Sequence, residues 1–374
     1  MPAIEYTMYF DNNPATREQL DQVEEITVEQ EENMIWEAQI KIPVRTDEKG
    51  NWKGQDEDFL ASWSRVRVEI KVGDNDFAAL IDGPIVGFDN QGSSEPGQSY
   101  FNFKVQDDSV YLDQTETFEP FEDKLDHEIA ADLLDRPEQI KSIEFDITPA
   151  SGSSLPSINF RRGTEMDLLR QLARRHNMYA AVLPGENPGE SIGCFKKFPT
   201  EPDGLPPITL LGAERNIESF SATNNTRSPA NVKASTLSIG DKVVVTRSSS
   251  FRDLEKLGEE HAFDDESNLP EQILPPGQGE TVDLQSHVDA EASRSGFAFD
   301  ASGTVQGFYY NGVLSPYRVV VLRGVANRQV GNYLIKHVTH KLTRSNYTQA
   351  FKLRRDAQAS ASNGVSDNLI GSIF

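Results

Sequence analysis

The residues of this chain whose types could do chemistry are six histidines, one cysteine, three tryptophans and several acidic runs. His127, His176, His261, His287, His337 and His340 show no HExxH or other metal-ligand spacing. His337 and His340 lie three apart in a segment that reads as a strand, so their side chains point to opposite faces and do not share a metal. His340 is expected to be a hydrogen-bonded structural residue. Cys194 stands alone, which excludes an internal disulfide and any multi-cysteine metal site and leaves an idle, buried thiol. No G-x-S-x-G elbow, P-loop or dinucleotide glycine motif is present.

Paired carboxylates can cut glycosidic bonds, and Asp56-Glu57-Asp58 and Asp264-Asp265-Glu266 are the candidates. Both runs sit in polar, loop-like surroundings, whereas a general acid needs a pKa raised by an apolar pocket. Asp47 to Asp58 fails as a calcium loop because Lys49 stands at the third-position ligand. Asp74-Asn75-Asp76 is turn chemistry. Of the tryptophans, which could serve as carbohydrate platforms, Trp36 falls on an apolar strand face and reads as core. Trp52, between Gly50 and Gly54, is the candidate for an exposed interface anchor. The residues thus nominate no catalytic, cofactor-binding or metal site, and the chain does not read as an enzyme.

Length and charge narrow the class further. A chain of 374 residues suggests two or three domains. A net charge of −23 disfavours binding to phosphate backbones and anionic lipid, which takes Lys and Arg. No stretch approaches the ~20 apolar residues of a membrane span. Met1-Pro2-Ala3-Ile4-Glu5 lacks the pattern of a secretion signal, so folding and assembly in the cytoplasm are expected.

The elements that must position these residues are mostly strands. Met34 to Ile42 alternates with period two, and Arg65 to Val72 alternates cleanly, apolar on one face and charged on the other. Phe77 to Ile81 follows a turn, Asp82-Gly83-Pro84 interrupts, Ile85 to Phe88 resumes, and Tyr100 to Val105 follows a Gly/Ser-rich loop. Leu125, Ile129 and Leu133 mark a helix ending before Pro137. A second helix opens at Thr164 as cap, with Leu168, Leu169, Leu172 and Ala173 as its apolar stripe. Its Arg170, Arg174 and Arg175 read as a solvated face or a dock for an acidic neighbour. Tyr179 to Leu183 reads as a strand. Beyond Asn216 strands return at Val232 to Ile239 and Val243 to Val245, followed by an acidic loop and a helix with Leu284, Val288 and Ala292 every four residues.

Two stretches match in order and spacing. Arg65–Val72, Phe77–Phe88 and Tyr100–Asp108 correspond to Tyr317–Gly324, Tyr333–Leu342 and Tyr347–Asp356. Both end alike, Phe103-Lys104-Val105-Gln106-Asp107-Asp108 beside Phe351-Lys352-Leu353-Arg354-Arg355-Asp356. The repeat implies two copies of one β-barrel or sandwich in the chain, so that a trimer would present six similar units around one axis.

The helix Gly163-Thr164-Glu165-Met166-Asp167-Leu168-Leu169-Arg170-Gln171-Leu172-Ala173-Arg174-Arg175-His176 resembles one in the phage late-control D family. That family includes tail baseplate hubs and the hub portion of type VI secretion spike proteins. Gly331 to Leu342, with Tyr347 and Phe351-Lys352-Leu353, is similar to its closing strand pair, and Asp283 to Ala292 to the preceding helix. The resemblance spans roughly Arg65 to Asp356.

It implies a mainly β fold with α+β insertions. Two similar tube-like β-barrel domains, 1–115 and 216–357, would flank a small α/β subdomain at 116–215. The second would carry an insertion at about 251–296, and 358–374 would be a flexible tail. The implied function is the structural hub of a contractile tail or phage-like injection particle. Three copies would form a ring adapting the six-fold tube to a three-fold spike borne on a separate chain. Tube, spike, tape-measure and baseplate wedge proteins are the implied partners, with no direct nucleic-acid sequence recognition and no membrane insertion. The rival expectations are a peptidoglycan-cleaving tail enzyme and a carbohydrate-binding host-recognition module.

Overall fold

The computed structural model describes residues 3–46, 52–53, 58–95, 97–150, 158–238, 242–275 and 283–358. Six strands form its first module: β1 (Ile4–Phe10), β2 (Glu25–Glu31), β3 (Glu37–Pro43), β4 (Arg65–Val72), β5 (Ala78–Gln91) and β6 (Tyr100–Gln106). They are hydrogen-bonded in the order β1-β4-β5-β6-β3-β2, every pair antiparallel. Alternate residues of all six enter one apolar core, from Met8 on β1 to Val28 on β2.

A smaller α/β piece follows. Helix α1 (Asp126–Leu134) and helix α2 (Glu165–Arg175) lie against β7 (Ile140–Phe145), β8 (Met178–Pro184) and β9 (Ser191–Lys197) over a core of their own. Thr164 caps α2, its hydroxyl accepting from the Asp167 amide. The apolar stripe from Met166 to Ala173 is buried, as its spacing requires.

The second module begins with β10 (Ile208–Thr209) and β11 (Ile217–Asn224). A small sheet of β12 (Asn231–Ser238), β13 (Val243–Ser250) and β14 (Glu271–Ile273) is then inserted, packed against helix α3 (Leu284–Gly296) through Val232, Ala234, Val288 and Ala292. The module resumes with β15 (Phe299–Gln306), β16 (Val319–Arg323), β17 (Gly331–Thr343) and β18 (Tyr347–Arg355). Its strand order is β10-β16-β17-β18-β15-β11, again around one core fed by all six strands.

The two orders are the same order. Numbered by position within each module, both run first-fourth-fifth-sixth-third-second. The correspondence extends to irregularities: β5 bulges between Ile85 and Gly87 opposite β6, and β17 bulges between Ile335 and His337 opposite β18. One pairing differs, since β1 meets β4 antiparallel and β10 meets β16 parallel. Among the described residues no ladder closes either six-strand set upon itself. The two sets are instead joined to each other by β2 and β17 in one continuous sheet.

Several sequence expectations need correction. The strand expected from Met34 begins at Glu37, because Asn33 takes a turn at φ 59°. Asp82-Gly83-Pro84 does not interrupt β5, which runs unbroken from Ala78 to Gln91. Gly83 permits this, since a Cβ there would lie 1.9 Å from the Gln106 carbonyl oxygen, and Pro84 takes a ladder position opposite Arg65. The acidic loop before α3 contains two short strands, Glu260–His261 and Glu271–Ile273.

Candidate assembly surface

The seam between the modules is a seven-residue antiparallel ladder from Glu25↔Thr343 to Glu31↔His337. Its core-facing side carries a buried polar chain. Gln30 donates from Nε2 to the Leu80 carbonyl at 2.7 Å, which turns its Oε1 toward His340 Nε2 at 3.2 Å. His340 must therefore donate from Nε2, leaving Nδ1 to accept from the Tyr347 hydroxyl at 2.8 Å. Burial holds the His340 pKa down to about 3, so the imidazole is neutral and purely structural. That matches its expected role.

A second joint ties all three parts together. Trp36 of the first module, Tyr179 and Cys194 of the α/β piece and Tyr317 of the second module share one buried cluster, with Tyr179 and Tyr317 stacked at 4.1 Å. The Tyr317 hydroxyl accepts from the Asn33 amide at 2.8 Å. Trp36 is core, as expected, although it precedes β3 and does not lie on it, and what it fills is the three-way joint. Burial raises the Cys194 thiol to about 12, so it stays protonated and inert.

Sequence reasoning missed a buried ion network on β4. Arg65 grips Asp108 through both Nη atoms at 2.8 and 2.6 Å and Asp82 at 2.7 Å. Arg67 meets Glu69 at 2.6 Å and Asp82 at 3.0 Å, and donates to the carbonyls of Glu186 and Asn187 in the β8–β9 turn. Ser191 adds a 2.6 Å bond to Asp108. The charged face of β4 is thus covered by the α/β piece, with Arg67 and Glu69 both buried. The alternation placed these charges on one face, but what lay over that face is a long-range fact. Asp107, beside them, is pushed up to about 6 by burial although its carboxylate accepts from the Trp36 and Ser109 amides.

None of the sequence candidates converge on a reaction centre. Asp264 and Asp265 are exposed in a turn, with Asp264 3.3 Å from Arg252. Asp56 and Glu57, residues 47–51 and the side chains of Asp58 and Trp52 lie outside the described residues. Arg175 and His176 both reach Asp126 on α1, at 3.3 and 2.9 Å, which ties this end of α2 to α1, while Arg174 is 70% exposed. A cleft of about 300 Å³ beside α3 is lined by Asp289 and Asp356, but Asp289 accepts from Gln285 at 2.8 Å and Asp356 from the Leu257 amide at 2.9 Å. Among the described residues no three His, Cys, Asp or Glu side chains are grouped to hold a metal ion, and no helix is long and apolar enough to cross a membrane.

No protein-family model matches the sequence, and no curated protein matches it either. Solved structures do. A tail protein from Neisseria meningitidis MC58 is similar over 95% of this chain and 97% of its own, with 15% identity and a TM-score of 0.62. The 43 kDa tail protein of prophage MuSo2 from Shewanella oneidensis is similar over 94% and 98%, with 13% identity and a TM-score of 0.62. A component of the Escherichia coli type VI secretion system is similar over 96% of this chain and 77% of its own, with 9% identity and a TM-score of 0.52. At these identities the likeness establishes the fold: this chain is built as phage tail proteins are built. The resemblance read from the sequence holds at that level.

Proposed function

We propose that this chain is the structural hub of a contractile tail or phage-like injection particle. Three copies form a ring that matches a six-fold tube on one side and a three-fold spike on the other. The observation that carries the reading is the repeated strand order, two equivalent modules in one chain. Three such chains supply six equivalent units without six-fold sequence identity. Full-length likeness to tail proteins supports a place in the tail baseplate, assembled with tube and tape-measure proteins, baseplate wedge proteins and a spike on a separate chain.

The chain acts by holding partners in place and catalyses nothing. Asp82 and Asp108 are occupied by arginines and a hydroxyl, Asp356 at the cleft beside α3 accepts from the Leu257 amide, and the acidic run at Asp264 is solvated, so the peptidoglycan-cleaving reading gains no observation. Light scattering on the purified chain at micromolar concentration tests the proposal. Three copies of the 41.7 kDa chain are expected, and a strictly monomeric protein contradicts it.

A further inference from the structure

The cleft of about 300 Å³ beside α3 is walled by two parts of the molecule. The α/β piece contributes Ile147, His176, Met178 and Phe198, and the second module with its insertion contributes Leu257 and Asp356. The volume falls at the low end of pockets that hold a ligand, about 300–1,000 Å³. Two features show that these walls leave the cleft incomplete. Ile147 is 75% exposed, so a large apolar side chain of the lining stands in water. The His176 side chain is only 7% exposed, yet its Nδ1 is buried with no hydrogen-bond partner. Nε2 donates to the Asp126 carboxylate at 2.9 Å, so Nδ1 of the neutral ring is an unsatisfied acceptor. A buried atom of that kind calls for an N–H donor, which the described residues do not supply.

We propose that the cleft binds residues 369–374 of the same chain, Leu369-Ile370-Gly371-Ser372-Ile373-Phe374, and that a backbone N–H of this segment donates to His176 Nδ1. The last described residues lie at the cleft wall. Ala357–Gln358 pairs with Glu260–His261, and Asp356, one residue earlier, lines the cleft and accepts from the Leu257 amide. From Gln358 to Leu369 the chain can extend roughly 3.3 Å per residue, so reach is no obstacle.

Composition singles out this occupant. Residues 359–368 are small or polar apart from Val365, as a tether would be, whereas Leu369, Ile370, Ile373 and Phe374 gather large apolar side chains. Asp367 is the one charged side chain between 359 and 374, so the apolar run brings no carboxylate side chain into a cleft that already holds Asp289 and Asp356. A segment tethered this close reaches an effective concentration in the millimolar range, which favours it over the same segment of another copy. Its apolar side chains would cover Ile147, and its backbone would satisfy His176.

The inference holds for one chain or three, and light scattering on the same sample reads the copy number separately. Thr200 also lines the cleft and Cys194 is buried, so Thr200→Cys/Ser372→Cys provides the two reactive thiols. A short bismaleimide, which tolerates a shift of register, is added to the whole chain, and linked peptides are mapped by mass spectrometry. The expected product joins positions 200 and 372 within one chain, at least about tenfold faster than in the same protein carrying Leu369→Asp/Ile370→Asp. Equal rates in the two proteins would mean tethering without binding and overturn the proposal. Absence of a link overturns it as well, and a multi-chain product assigns the cleft to a neighbouring copy's segment instead. Hydrogen exchange gives a second reading without added cysteines. Peptides covering 254–257 and 286–293 should exchange at least about fivefold faster in Leu369→Asp/Ile370→Asp than in the native chain, and unchanged exchange overturns the proposal.

Discussion

His340 shows how a buried polar side chain can fix the joint between two modules of one chain instead of doing chemistry. It sits on β17 where β2 docks, and Gln30 and Tyr347 fix its tautomer. A free histidine in the unfolded chain takes its proton near pH 6.5, whereas folded His340 takes it only near pH 3. Between those values the unfolded chain holds the extra proton, so this residue costs stability as pH falls through the window. His340→Gln should cost about 1–3 kcal/mol at pH 7, from lost hydrogen bonding. That deficit should shrink by about 2 kcal/mol at pH 5, at 1.36 kcal/mol per pH unit. Denaturant melts at the two pH values check it, and a deficit independent of pH contradicts it. Arg67 makes the complementary case. Removing one partner of a buried ion network strands its charges, so Arg67→Met should destabilise the fold by about 3–5 kcal/mol in the same assay. A near-neutral effect would mean that Asp82 and Glu69 are more hydrated than their burial indicates.

At the scale of elements, the repeat was legible because three consecutive strands leave a local trace. Phe103-Lys104-Val105 and Phe351-Lys352-Leu353 occupy equivalent ladder positions, as their sequence match implied. The helix at Thr164 was legible because a cap and a four-residue apolar period are local as well. What stayed hidden depended on distant chain. The β4 charges read as one face of a simple amphipathic strand, yet residues 186–191 cover them from more than a hundred positions away. Asp82-Gly83-Pro84 read as a break because Gly and Pro punctuate most sequences. Here the glycine is demanded by backbone approach within the sheet. Gly83→Ala would drive a Cβ into the Gln106 carbonyl and should cost about 3 kcal/mol or more, read as a lowered melting temperature. A silent substitution would mean that β5 and β6 separate more easily than their ladder suggests.

For the whole molecule, two modules of one strand order share one sheet within each chain. A net charge of −23 per chain makes copies repel one another at long range, and salt screens that repulsion with a Debye length of about 8 Å at 0.15 M. The proposed trimer should therefore tighten, not loosen, when salt is raised from about 0.02 to 0.15 M, as sedimentation would show. A ring that falls apart over that range would point to interfaces held by ion pairs. The most direct measurement is a set of electron-microscope class averages of the purified protein viewed down the ring axis. The account predicts a three-fold ring with six similar lobes around a central opening. A single asymmetric particle, or a ring with a copy number other than three, contradicts it.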